Sequence, residues 1–182
     1  MTEPNCKKRQ SRNKQTGEVF SPPKLVNQML SKLPKEIWLK GKTFCDPAVG
    51  NGNFLIAILI RKIQRGHNDL QAIQSLYGVD IMRDNIQECR LRLLKVIQLF
   101  GKTITEEHIR TVLKNIVWIN INKYPGGSLD YDFEFTSSPK TEDIKRWIEW
   151  IHEKDMLNNV ELPVQEEHFS LDGKCLINWE DD

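Results

Sequence analysis

The first hydrophobic pattern in the chain runs from Leu25 to Leu33, where apolar residues recur at helical spacing. It predicts one short amphipathic helix. Pro22 and Pro23 precede the pattern, and proline suits the first turn of a helix because no N–H is needed there. We therefore expect the helix to begin just after these prolines, with Ser21 as its N-cap.

Strand and helix patterns then alternate along the chain. Residues 43–46 and 75–80 predict short strands, and residues 115–121 predict a third. The first strand leads into a glycine turn and a helix that is apolar over much of its circumference. A long helix follows the second strand, and a weaker helix precedes the third. This alternation predicts a parallel sheet with helices on both faces, which is an α/β doubly wound domain.

The pattern loosens after Lys123. Residues 137–157 predict one further amphipathic helix, with Trp147 on its apolar face. Ser138 is the expected N-cap of this helix, and Pro139 is expected at its first helical position.

Composition and length limit the possible classes of protein. The 182 residues include 26 Lys and Arg against 25 Asp and Glu, so the total charge does not indicate a strongly basic nucleic-acid binder. We expect a disordered basic tail over residues 1–15 and a single domain over residues 16–182. The four cysteines lack C-x-x-C spacing, which indicates neither a zinc site nor a disulfide framework. No apolar run is long enough for a membrane span. With the cysteine pattern, this leads us to expect a cytoplasmic protein without a bound metal.

The strongest chemical signal is the run DPAVGNGNF, Asp46 to Phe54, between a predicted strand and a predicted helix. Gly50 and Gly52 let the backbone approach a ligand, and the N–H groups of a helix N-terminus favour a carboxylate or phosphate. Asp80 ends the next predicted strand, where it can accept hydrogen bonds from ribose hydroxyls. A nucleotide-like cofactor is implied, but the glycine spacing departs from the G-x-G-x-x-G fingerprint of NAD-binding proteins.

These motifs resemble a known family when they are taken in order. FCDPAVGNGNFL resembles the D-P-x-x-G-x-G-x-F cofactor loop of the S-adenosylmethionine-dependent adenine-N6 DNA methyltransferases. TGEVFSPPKLVNQMLSKLP resembles the family segment before that loop, LYGVDIMRDNIQECRLRL resembles its second cofactor motif, and KNIVWINI occupies the place of the third. The resemblance implies a Rossmann-like methyltransferase sheet that is reduced at its C-terminal end, with the cofactor-binding part at residues 16–122.

The resemblance also implies S-adenosylmethionine as the cofactor and assigns residues to it. Asp46 and the backbone of the glycine loop are expected to hold the methionine amino and carboxylate groups. Asp80 is expected to bind the ribose and Ile81 to pack on the adenine. The full cofactor-binding set is Phe20, Ser21, Asp46, Pro47, Gly50, Gly52, Asp80, Ile81 and Asn120.

The family's catalytic motif, Asn/Asp/Ser-Pro-Pro-aromatic, has no intact counterpart in the sequence. In the expected place, Ser137, Ser138 and Pro139 form at best a degenerate remnant and are weak catalytic candidates. The triplet Ser-Pro-Pro that starts at Ser21 is followed by Lys24, which has no ring to stack on a flipped base. We interpret this triplet as a wall of the methionine pocket.

Two functions of different class therefore stay open. The first is an adenine-N6 DNA methyltransferase, or its cofactor-binding subunit, that methylates a flipped adenine in DNA. It needs a partner chain for target recognition or for the catalytic motif, because little length remains after residue 140. The second is a catalytically inactive, cofactor-binding interaction or regulatory protein of restriction-modification systems, derived from such an enzyme. An NAD-dependent oxidoreductase fits the glycine spacing less well.

Overall fold

The structure, a computed structural model, describes residues 19–119 and 139–162. The predicted tail over residues 1–15 lies outside this range, as do Asn120, Ser137 and Ser138. The described elements, in chain order, are α1 (Pro23–Ser31), a 3₁₀ helix (Lys35–Trp38), β1 (Phe44–Asp46), α2 (Asn53–Gln64), α3 (Asp69–Gln74), β2 (Leu76–Asp80), α4 (Arg83–Leu99), α5 (Glu106–Asn115), β3 (Ile116–Trp118) and α6 (Thr141–Glu153).

The three strands form a parallel sheet in the order β1-β2-β3. Leu76 and Val79 point to opposite faces of β2, and both are fully buried, so the central strand is covered on its two sides. The predicted parallel α/β sheet is therefore confirmed. Its strands follow one another in a single direction, and the described residues do not include the reversal of strand order that defines a doubly wound sheet.

Helix α2 occupies the centre of the described structure. All eight residues from Leu55 to Lys62 are buried, as expected for a helix that is apolar over much of its circumference. It contacts β1, β2, α1 and α4, while α3 packs against α5 and α6 also packs against α5. None of the described helices is both long and apolar enough to cross a membrane.

Helix α1 is less buried than its sequence pattern predicts. Val26 and Leu30 are buried, whereas Leu25, Met29 and Leu33 are exposed. Because Val26 and Leu30 are four residues apart, they form one narrow line along the helix, and that line packs on α2. The predicted amphipathic helix is therefore present, but only this line of its apolar residues is buried.

Two predicted helix starts are also wrong, one by a single residue and the other by two residues. The N-cap of α1 is Pro22 rather than Ser21, and Pro23 is the first helical residue. The residue before a proline is pushed into extended geometry, which places the boundary at Pro22, whose ψ is 148°. The N-cap of α6 is Lys140, so Pro139 precedes the helix and Ser138 does not cap it. The acidic first turn of α6 favours a start at this later position.

Candidate functional site

A cavity of about 290 Å³ lies at the carboxyl ends of β1 and β2. The position agrees with the general rule that ligands of parallel α/β sheets bind beyond the carboxyl ends of the strands. Five of the predicted cofactor-binding residues line this cavity: Phe20, Ser21, Asp46, Gly50 and Asp80. The sheet therefore brings together residues that are up to sixty positions apart in the sequence.

The glycine loop that follows β1 is held by backbone hydrogen bonds. The Val49 N–H donates to the Val79 carbonyl over 2.9 Å, and the Gly52 N–H donates to the Val49 carbonyl over 2.9 Å. Gly50 and Gly52 have φ values of +52° and +92°, in the left-handed region that favours glycine. Gly52 is the N-cap of α2 and has no side chain, so the first helical turn has no side-chain cap hydrogen bond.

Both glycines also touch neighbouring side chains. A Cβ atom on Gly50 would lie 3.1 Å from two carbons of the Phe20 ring. A Cβ atom on Gly52 would lie 2.6 Å from the Cys89 sulfur, which belongs to α4. The loop is therefore packed between the Phe20 ring and α4, with little room for a side chain at Gly50 and none at Gly52 unless neighbouring atoms move.

Asp80 binds the loop directly, which the sequence did not indicate. One carboxylate oxygen accepts the Gly50 N–H over 2.9 Å, and the other accepts the Met82 N–H over 2.7 Å. The Asn85 side-chain amide lies 3.4 Å from that second oxygen. Asp80 thus holds both the glycine loop and the turn into α4, in addition to facing the cavity.

Asp46 stands beside Asp80 at the same edge of the sheet. One of its carboxylate oxygens accepts the Ala48 N–H over 3.1 Å. Burial raises the pKa of Asp46 above its ordinary value, the Ala48 hydrogen bond opposes the rise, and the charge of Asp80 adds to it. The two carboxylates therefore create an environment in which a positively charged ligand group would be stabilised.

Of the other members of the predicted set, those within the described residues do not line the cavity. Pro47 is exposed, and Gly52 is buried against Cys89. Ile81 is 53% exposed, and its carbonyl accepts the indole N–H of Trp118 over 2.8 Å. Pro139 is half-buried and lies outside the lining. No group of three or more potential metal ligands occurs among the described residues.

Six residues that line the cavity were not in the predicted set: Val19, Ala48, Val49, Asn51, Asn53 and Phe54. Asn51 and Asn53 occupy positions that the loop pattern leaves unspecified, so the motif gave no reason to select them. Phe54, the aromatic position of the loop motif, packs against the core while also lining the cavity. Only the three-dimensional arrangement reveals that the two asparagines belong to the site.

Comparison with known proteins places the chain in a family. A family model described as N-6 DNA Methylase matches residues 7–121, which is more than half of the 182 residues. The chain belongs to this family of DNA methyltransferases, as the resemblance of its motifs predicted. No curated protein and no solved structure matches the chain at a significant level.

Proposed function

We propose that the chain binds S-adenosylmethionine in the cavity beyond β1 and β2 and serves the methylation of adenine N6 in DNA. It does so as the enzyme itself or as the cofactor-binding subunit of one. The described sheet is, in this proposal, one half of a doubly wound Rossmann-like domain. The observation that carries the proposal is the pair of carboxylates, Asp46 and Asp80, next to the glycine loop.

The charge of the cavity favours this cofactor over a dinucleotide. Asp46 and Asp80 are the charged residues in the lining, and no Lys, Arg or His lines it within the described structure. S-adenosylmethionine carries an ammonium and a sulfonium group, and both are positive. A pyrophosphate would meet two negative charges without a compensating cation. The charges that line the cavity therefore favour S-adenosylmethionine over NAD.

Individual residues have complementary tasks in this proposal. Asp46 attracts the ammonium group, and the N–H groups at the start of α2, which have no side-chain cap, bind the carboxylate. A carboxylate has about four lone-pair sites, so Asp80 can hold Gly50 and Met82 and still accept a ribose hydroxyl. Phe20 and Ser21 form the wall on the methionine side. The exposed Ile81 offers an apolar surface to the adenine, and Asn120 offers an amide.

The bound cofactor supplies an activated methyl group, and the chain must supply an orientation for the acceptor. Adenine methylation needs hydrogen-bond acceptors for the exocyclic amine and an aromatic face for the flipped base. The only Pro-Pro pair in the sequence starts α1, where Pro23 is the first helical residue. We therefore propose that a partner chain contributes the catalytic motif or the recognition of the DNA target.

The use of Pro22 and Pro23 as a helix start also favours the second candidate function. In that case the chain binds the cofactor without transferring its methyl group and acts as an interaction or regulatory protein of restriction-modification systems. Both candidates share the cavity and its ligand. They differ in whether methyl transfer occurs in any mixture that contains the chain.

The cavity is tested by calorimetric titration of S-adenosylmethionine into the wild-type protein and into Asp46→Asn and Asp80→Asn. Each substitution removes a charge that faces the ligand, so we expect affinity to fall about ten- to hundredfold. Glu106→Gln removes an exposed acid at the start of α5 and serves as the control, with unchanged affinity. Equal affinity in all four proteins would show that the carboxylates do not bind the ligand.

The two candidate functions are separated by a transfer assay. The protein is incubated with methyl-labelled S-adenosylmethionine and unmethylated DNA, alone and with an extract of cells that lack adenine methylation. Label in adenine under either condition rules out the inactive candidate, provided that the extract alone gives none. Cofactor binding without label in any mixture rules out the enzyme.

A further inference from the structure

The cavity has two walls that come from distant parts of the chain. Phe20 and Ser21 form one wall, and the loop with Asn51 and Asn53 forms the other. The Asn53 side-chain N–H donates to the Ser21 carbonyl over 2.9 Å, which joins residues 32 positions apart. This hydrogen bond fixes the Phe20 wall against the start of α2.

The orientation of the Asn53 amide depends on Arg92 of α4. The amide can donate to Ser21 only if its oxygen points away, and that oxygen accepts an Arg92 N–H over 2.9 Å. The same guanidinium nitrogen lies 3.4 Å from the Asn51 carbonyl oxygen. Arg92 therefore contacts the loop at two points.

Glu88, which also lies on α4, holds Arg92 in place. It is only 4% exposed, and its second terminal nitrogen pairs with a Glu88 carboxylate oxygen at 3.1 Å. That carboxylate oxygen also accepts the Asn51 side-chain N–H over 3.2 Å. A buried guanidinium with fixed partners has few alternative positions, so it presents its N–H to Asn53 in one geometry.

We infer that Arg92 is a positioning residue for the ligand of this cavity, acting through Asn53 on the Phe20 and Ser21 wall. Arg92 does not line the cavity, so it has no direct contact with the ligand. The expected effect of Arg92 on affinity rests on the proposed S-adenosylmethionine site. The expected effect of Arg92 on the position of the Phe20 and Ser21 wall does not, because it is measured in the ligand-free protein. The loop motif does not indicate this role of Arg92, because the motif leaves position 53 unspecified and Arg92 lies 39 residues further along the chain.

The position of the wall has a direct spectroscopic signature. The Phe20 ring packs on Gly50 in the ligand-free protein, so nuclear Overhauser contacts should join the ring protons to the Gly50 α-protons. Arg92→Met keeps an unbranched apolar side chain in place of the arginine stem and removes the N–H donors. Lys95→Met is the matched control, since Lys95 is also a buried cation of α4 but contacts Asn158 rather than the cavity.

Two measurements are made on each variant: the Phe20–Gly50 contacts without ligand, and the affinity for S-adenosylmethionine by calorimetry. In Arg92→Met we expect the contacts to be lost and the affinity to fall roughly tenfold, whereas Lys95→Met should change neither. Asn53→Ala breaks the same connection while leaving Glu88 as a partner of Arg92. It should reproduce both effects, and combining it with Arg92→Met should add nothing further.

The outcomes separate this inference from the proposed function. If Arg92→Met folds and keeps the Phe20–Gly50 contacts, the positioning role is overturned. If Arg92→Met does not fold, the same measurement on Asn53→Ala decides. If the wild-type protein does not bind S-adenosylmethionine, the proposed function fails, and the contacts alone still decide whether Arg92 positions the wall. Equal loss in Lys95→Met would mean a general effect of removing a buried cation, which also overturns the inference.

Discussion

The packing of the glycine loop on α4 can be tested by placing one methyl group at Gly52. Gly52→Ala meets two separate obstacles, because its φ is +92° and its new Cβ would lie 2.6 Å from the Cys89 sulfur. A left-handed conformation costs a residue with a side chain about 1–2 kcal/mol. An overpacked methyl group in a well-packed region costs about 1–3 kcal/mol. The sum is about 2–5 kcal/mol, a large part of the roughly 5–15 kcal/mol that stabilises a typical domain.

Two further variants separate these contributions. Gly66→Ala provides the backbone effect alone, since Gly66 has a φ of +80° and nothing within 4 Å of the new Cβ. Cys89→Ala removes the sulfur, so in that background Gly52→Ala should lose most of its packing cost. The free energy of unfolding is measured for each variant by urea denaturation, and the pair forms a double-mutant cycle.

The two glycine substitutions should differ in how much they lower the free energy of unfolding. Gly52→Ala should destabilise the protein by more than Gly66→Ala does, and the cycle should show a coupling of about 1–2 kcal/mol between positions 52 and 89. Equal costs for the two glycine substitutions, or no coupling with Cys89, would falsify the close packing of the loop on α4.

Two other substitutions give distinct stability signatures. Because the pKa of Asp46 is raised, its ionisation costs more in the folded than in the unfolded protein; this penalty is absent at acid pH and complete once the pH exceeds the raised pKa. Asp46→Asn should therefore melt higher than the ligand-free wild type at about pH 7, with a gap that narrows towards about pH 4 in calorimetric scans; a constant gap contradicts this. Arg90 donates to the carbonyls of Leu113 and Ile116 at the end of α5. Arg90→Met should cost about 2–4 kcal/mol in urea denaturation because these carbonyls lose a charged donor, and a cost below about 1 kcal/mol would show that the contacts contribute little.

The sequence predicted those features that depend on local patterns. The helical spacing and terminal glycine of residues 53–66 define α2, and Gly66 follows its end with a positive φ. The three parallel strands follow from the alternation of strand and helix, because parallel neighbours need a crossover connection. The start of α1 was misplaced by one residue because the effect of Pro23 on its predecessor outweighs the capping preference of serine.

Contacts between distant residues could not be predicted in the same way. The hydrogen bond from Gly50 to Asp80 spans 30 positions, and the bond from Arg92 to Asn53 spans 39. The first depends on how the glycine loop lies against the end of β2, and the second depends on how α4 packs against the start of α2. Neither arrangement has a local sequence pattern. The motif therefore placed Asp80 at the site without showing that it holds the loop. It also gave no sign of the two asparagines.

The central claim is that the cavity beyond β1 and β2 binds S-adenosylmethionine through its two carboxylates, and calorimetric titration of the wild-type protein tests it most directly. S-adenosylmethionine and NAD are titrated in parallel under the same conditions. The carboxylate pair predicts saturable binding of one S-adenosylmethionine per chain and no binding of NAD. Absence of S-adenosylmethionine binding, or displacement of it by NAD, would contradict the assignment of the site.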